Sequence, residues 1–221
     1  MRLVFRFGGS SLDTPLRIRS AADRVRARVT AGDAVAVVVG RSAYRNSHIV
    51  RQLEQLGAAS AATAREVARG FAGAERVTAA VLAAELAAGG LTAVSLAGEE
   101  AGIAGAGDFG SGRLAALDPA RLSALLSGGA VPVICGGHGV RRDGEIVSLE
   151  PQGADLTAIV LAELLGAACH FVLDRNRLDL IAQGHMVHPS AVERARKAGV
   201  PLFIYSFREG ARYRADGSVA K

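Results

Sequence analysis

The chain has 221 residues, half of them hydrophobic and 21% charged, which excludes disordered and fibrous classes and suits one well-cored domain. The net charge of +5 is almost all arginine, with lysine only at Lys197 and Lys221. Those arginines are scattered (Arg24, Arg26, Arg28, Arg141, Arg142, Arg194, Arg196, Arg208–Arg214) among 3 Tyr, 7 Phe and no Trp, which argues against a nucleic-acid surface built on base stacking.

In chain order, Arg2–Phe7 reads as a short strand ended by Gly8-Gly9. A helix follows from Pro15 to about Val29, with Asp13 or Thr14 as cap and Pro15 at its first position. Ala34–Val39 is an unbroken β-branched run, as expected of a strand buried on both faces, and Gly40 stops it. Ser47–Leu56 reads as a helix, while Ala58–Ala64 carries little signal. Glu75–Ala88 is a helix ended by Gly89-Gly90, Thr92–Leu96 a strand, and Gly98–Gly112 a glycine-rich loop. Asp118–Leu126 is a helix capped by Asp118, Val131–Cys135 a buried strand, and Glu145–Leu149 a strand after the Arg142-Asp143-Gly144 turn. Asp155–Leu165 is a helix, Cys169–Leu173 a strand, Ser190–Lys197 a helix and Pro201–Ser206 the last strand. Strands that are short apolar runs, alternating with helices, predict a three-layer αβα sandwich with a mostly parallel sheet over residues 1–207. Residues 208–221 read as a loose polar tail.

Two distant cysteines, Cys135 and Cys169, make neither a disulfide framework nor a metal knuckle and suit a reducing, cytoplasmic setting. The expectation is a chain without membrane span or signal peptide, since no apolar run nears the roughly 18–20 residues that a span needs. His185-x-x-His188 lacks a third ligand, so no metal site is expected there.

In open α/β sheets ligands bind beyond the carboxyl ends of the strands. Those ends are glycine-rich here: Gly8-Gly9-Ser10-Ser11, Gly40-Arg41-Ser42 and Gly136-Gly137-His138-Gly139. Glycine lets backbone N–H groups approach an anion closely, and helix N-termini add partial positive charge, so a phosphate or carboxylate ligand is expected. GxxxxGK[ST] is absent, as are a Rossmann GxGxxG and a GxSxG elbow, which excludes P-loop, dinucleotide-binding and α/β-hydrolase sites.

Phe5-Arg6-Phe7-Gly8-Gly9-Ser10-Ser11 and Val37–Ala43 open a series of motifs whose order resembles the aspartokinases of the amino-acid kinase family: the first is similar to their KFGGTS opening, the second to a VVVSAMG-like strand and loop. Glu75–Ala80 resembles their GE-x-V-S/T-A helix start, and Asp108–Leu114 their FGNARI segment. Val131–Gly139 with Asp143-Gly144-Glu145 resembles VPVVAGFQG…DGEITTLG, Gly153–Ala158 the end of GRGGSDTTA, and His188-Pro189 with Val200–Ile204 the late VLHP…IPVFV region. The resemblance spans residues 3–206 and implies ATP-dependent phosphorylation of a carboxylate, with ATP and Mg²⁺ as cofactors and a small acidic metabolite or amino acid as partner. It implies a homodimer, catalytic roles for Arg6 and Asp155, which with Gly8, Gly9 and Ser10 handle the phosphates and the transition state, and an ammonium-binding carboxylate at Glu75, which by itself also reads as a helix-start cap. Gly40, Gly136, Gly137 and Gly153 join that substrate and phosphate set, and Asp174 stands for the nucleotide loop.

The departures are local. Arg6 replaces the family's lysine, keeping the charge in a planar, longer group. Glu150-Pro151-Gln152-Gly153-Ala154-Asp155 lacks the arginine and serine of GRGGSD, and Gly137 replaces the aromatic of GFQG. Between Asp174 and His188 the chain is much shorter than the family's nucleotide-embracing segment. Two functions follow: a kinase with an altered acidic acceptor, or a catalytically inactive relative that binds a small molecule or a partner.

Overall fold

The structure is a computed structural model that describes residues 1–40, 52, 55, 61–149, 153–173, 187–206 and 212–214. β1 (Arg2–Phe7) alternates strictly: Leu3, Phe5 and Phe7 enter one apolar cluster, Val4 the other, and Arg6 shares the Val4 face. β2 (Ala34–Val39) divides in the same way, with Val35, Val37 and Val39 opposite Ala36 and Val38. A strand buried on both faces needs helices on both sides, and the sequence supplies them.

On the Phe5 face lie α1 (Pro15–Thr30), through Ile18, Ala21, Ala22 and Val25, and α2 (Ala61–Ala88), through Ala79, Leu82 and Leu86. The Thr14 side chain caps α1 by accepting the Arg17 N–H at 3.3 Å, with Pro15 in the first turn. On the Val4 face lie α3 (Ala120–Ser127), α4 (Gly153–Leu165) and α5 (Pro189–Ala198). Gly199 ends α5 in the left-handed region at φ 66°.

The remaining strands of the large sheet are β3 (Ala93–Leu96), β6 (Val131–Cys135), β9 (Ala168–Leu173), β10 (Leu202–Ser206) and β11 (Arg212–Arg214). The order is β11-β10-β9-β1-β2-β6-β3, parallel throughout except for antiparallel β11. The expected αβα sandwich is therefore the observed architecture. A second sheet, in the order β5-β4-β7-β8, joins β4 (Ile103–Ala106), β5 (Arg113–Leu117), β7 (His138–Val140) and β8 (Ile146–Ser148).

Register fixes the edge that matters. Phe7 pairs with Val39 on one side and Val172 on the other, and Val39 pairs with Cys135. Gly8, Gly40 and Gly136 therefore leave the sheet side by side at its carboxyl edge.

Four expectations need correction. β4 and most of the turn into β5 lie where a loop is expected over Gly98–Gly112. The helix expected from Glu75 begins at Ala61, so Glu75 is mid-helix and caps nothing. The cap of α3 is Pro119, although the Asp118 carboxylate still accepts the Ala120 N–H at 3.0 Å. Arg212–Arg214, expected in a loose tail, pairs with β10. The Ser47–Leu56 helix lies largely outside the described residues. Among the described residues, no helix is long and apolar enough to cross a membrane.

Candidate active site

Arg6 is the next-to-last residue of β1 and points to the α4 side, where the first turn of that helix presents Asp155. Arg6 Nε donates to Asp155 Oδ1 at 2.9 Å, and both side chains are largely buried. The guanidinium also donates to the Phe7 carbonyl. A carboxylate in the first turn of a helix is favoured by the unpaired N–H groups there. The other Asp155 oxygen accepts the backbone N–H of His188 at 3.3 Å, so both oxygens are engaged. A charged pair with this little exposure persists only when its geometry and extra hydrogen bonds offset desolvation.

The glycines frame this pair. A Cβ on Gly40 would lie 3.4 Å from Arg6 Nη2 and 3.7 Å from the Ala154 side chain. A Cβ on Gly136 would lie 2.4 Å from Val38 Cγ1 and 3.1 Å from Ala154 Cα, so only glycine lets α4 start this close to the end of β6. Thr157 pins the same junction, its hydroxyl donating to the Gly136 carbonyl at 2.9 Å. Gly153 is packed equally tightly, since a Cβ there would meet Leu149 Cβ at 2.2 Å.

Gly8 donates its N–H to the Val172 carbonyl at 3.3 Å, and a 3-10 turn (Gly9–Leu12) follows. Ser11, fully buried, docks that turn on β9 by donating its hydroxyl to Val172 O at 2.9 Å. The Ser10 carbonyl accepts from Arg17 at 2.8 Å, which ties the turn to α1. The leading N–H groups of such a turn, those of Gly9 and Ser10, have no partner within it.

Glu75 and Gly137 form a second cluster one residue beyond Gly136. Glu75 Oε2 accepts the Gly137 N–H at 3.1 Å and lies 2.7 Å from His138 Nδ1. Glu75 and His138 are 5% and 1% exposed, so this is an interior contact. The Gly98 N–H donates to His138 Nε2 at 3.0 Å, and Glu99 Oε2 lies 3.5 Å from the same nitrogen. The first neighbour suits a neutral ring and the second a charged one. Two unit charges outweigh one amide dipole at these distances, which favours the imidazolium. Burial works against charge on the ring, but the hydrogen bonds to Glu75 and Glu99 outweigh it and raise the His138 pKa to about 9. The hydrogen bond to His138 in turn lowers Glu99 to about 2, against the effect of its burial. Glu99 also pairs with Arg76.

Cys135 ends β6 beside this cluster. Burial and then the Glu75 charge push its thiol well above the ordinary range, so it stays protonated and inert.

The structure thus joins Arg6, Asp155 and Gly40 directly, and brings Gly136 and Gly153 against the start of α4. Gly8, Gly9 and Ser10 sit at the same sheet edge, and Glu75 meets Gly137. Asp174 lies outside the described residues, as do Glu150–Gln152 and His185. His138 and Glu99 are contacts that spacing does not reveal. Their one sequence signal is position, since each directly follows a strand-end glycine, Gly137 or Gly98.

A model of the amino acid kinase family matches residues 1–178. The chain belongs to the amino acid kinase family. This family member is 31% identical to the aspartokinase of Geobacillus stearothermophilus over 95% of its own length, and 28% identical to that of Thermus thermophilus over 92%. It spans 57% and 56% of those two relatives. Among solved structures it superposes on aspartate kinase from Synechocystis with a TM-score of 0.75 at 26% identity, covering 96% of this chain and 39% of that one. Aspartokinase III of E. coli, solved with aspartate and ADP, matches with a TM-score of 0.75 at 18% identity, over 95% of this chain and 62% of that one. The domain is thus an aspartokinase-like amino acid kinase domain.

Proposed function

We propose that this domain binds ATP and transfers its terminal phosphoryl group to a carboxylate of a small acidic metabolite or amino acid. The observation that carries the reading is Arg6: a cation held by Asp155 at the carboxyl edge, beside Gly40 and at the strand end that leads into the Gly9–Leu12 turn. Phosphoryl transfer asks a protein mainly to position the reactants and to neutralise spreading negative charge. Arg6, the leading N–H groups of the turn and the N-terminus of α4 are suited to phosphate oxygens. ATP supplies the transferable group. Among the described residues no group of three His, Cys, Asp or Glu side chains is placed to hold a metal ion, so magnesium would enter with the nucleotide's phosphates. In this reading Asp155 is a positioning residue: with both oxygens engaged, it aims the Arg6 guanidinium.

The second reading is a relative that kept the scaffold without turnover. It is favoured by the same closure, since Asp155 is tied to Arg6 and His188, and Glu75 to Gly137 and His138. Calorimetry with ATP·Mg²⁺, followed by a measurement of ADP release in the presence of small acids, separates the two. Saturable binding that weakens at least tenfold in Arg6→Ala supports the kinase; no heat and no thermal shift at millimolar nucleotide sinks it.

A further inference from the structure

We propose that His138 closes the Glu75 carboxylate to amines, so that the acceptor taken at this edge is a carboxylic acid without an amino group. The proposal rests on the phosphoryl-transfer reading above and narrows its acceptor.

A buried carboxylate at a ligand-binding edge calls for a cation, and an amino group of a ligand is one way to supply it. Here the chain supplies its own. Glu75 Oε2 already takes two N–H groups, from Gly137 at 3.1 Å and from the His138 ring at 2.7 Å. The ring is 1% exposed and its far nitrogen is 3.5 Å from Glu99. A ligand ammonium would therefore have to compete with a buried imidazole for the same carboxylate oxygen.

Two adjacent positions build this arrangement. A Cβ on Gly137 would lie 2.1 Å from Glu75 Oε1 and 3.0 Å from its Cδ, so any side chain there would push the carboxylate out of its place. Gly137 makes room for Glu75, and His138 neutralises it. Around them, Asp155 is paired with Arg6, Glu75 with His138, and Glu99 with His138 and Arg76, while the exposed Glu100 carboxylate accepts the Ala97 N–H at 2.8 Å. Ala154, which faces Gly40 and Gly136, offers no hydroxyl. Within the Glu75 cluster itself, the chain's own imidazole takes the place that a ligand ammonium would fill.

Succinate and L-aspartate differ only by the amino group and make the decisive pair. Each is titrated calorimetrically into the full chain with a non-hydrolysable ATP analogue and Mg²⁺ present. The expected result is succinate binding at least tenfold more tightly than aspartate. In His138→Gln, checked for folding by its melting curve, the ratio falls below threefold as Glu75 becomes available. Gly137→Ala, which displaces the carboxylate by a different route, lowers the ratio as well; it decides the matter if His138→Gln does not fold. Aspartate binding as tightly as succinate to the wild type overturns the proposal, and so does a ratio unchanged in the variants. Binding of neither acid overturns it too. In that case retained binding of the ATP analogue leaves the phosphoryl-transfer reading standing, and its loss removes both.

Discussion

The Arg6 guanidinium and the Asp155 carboxylate hold each other at 2.9 Å, 149 residues apart in the chain, where the end of β1 meets the first turn of α4. Reading Arg6 as a phosphate-binding group alone suggests that its removal spares the fold. The burial of the pair says otherwise. Arg6→Ala leaves the Asp155 charge in a largely desolvated place with only the His188 N–H, and is expected to destabilise by about 3 kcal/mol. Arg6→Ala with Asp155→Ala should recover most of that loss. Urea unfolding of the two single variants and the double variant checks it; additive losses in the cycle would contradict a coupled pair.

Glycine substitutions separate tight backbone approach from mere flexibility. Gly73 lies exposed within α2, and a Cβ there meets nothing within 4 Å, so Gly73→Ala is expected to stabilise by up to about 1 kcal/mol. Gly136→Ala places a methyl 2.4 Å from Val38 and against the α4 backbone, and is expected to cost about 2 kcal/mol. Thermal melts of the two variants should move in opposite directions.

The Glu75–His138–Glu99 cluster predicts a pH profile. The folded-state pKa of His138 is about 9 against an ordinary 6.5, so its contribution is whole below about 6.5 and is lost as pH rises through about 9. That contribution is on the order of 3 kcal/mol for an interior ring. Glu99, lowered from 4.5 to about 2, contributes above about 4.5 and loses its contribution as pH falls toward 2. The cluster's stabilisation is therefore greatest between about pH 4.5 and 6.5. Urea midpoints measured from pH 6 to 10 should fall on the alkaline side, and His138→Gln should flatten that limb. A wild-type profile flat between 6.5 and 9 would show the ring to be neutral.

The large sheet was legible because its strands are continuous apolar runs, which burial on both faces demands; Ala34–Val39 is the clearest case. The small sheet was not. IAGA in β4 is short and made mostly of alanine and glycine, and RLAAL in β5 is largely exposed, so neither period nor hydrophobicity marks them. The start of α2 was missed because Ala61–Ala74 is alanine-rich and has little apolar contrast between faces, and that error made Glu75 look like a cap. The glycines at the carboxyl edge were legible as turn residues, and register then aligned them. Arg6 and Asp155 were legible as a pair of site residues only through family resemblance, since nothing local links positions 149 apart. His138 with Glu99 carried no such signal, because its two elements meet only when β3 and β6 align in the large sheet.

Trapping the product tests phosphoryl transfer to a carboxylate most directly. Acyl phosphates react with hydroxylamine to give hydroxamates, which colour with ferric iron. The full chain incubated with ATP, Mg²⁺, hydroxylamine and small carboxylic acids in turn should yield hydroxamate with at least one acid, matched by ADP, and at least 100-fold more slowly in Arg6→Ala. Absence of hydroxamate with every acid, under conditions where ATP binding is measured and saturated, would contradict a catalytic role for this edge.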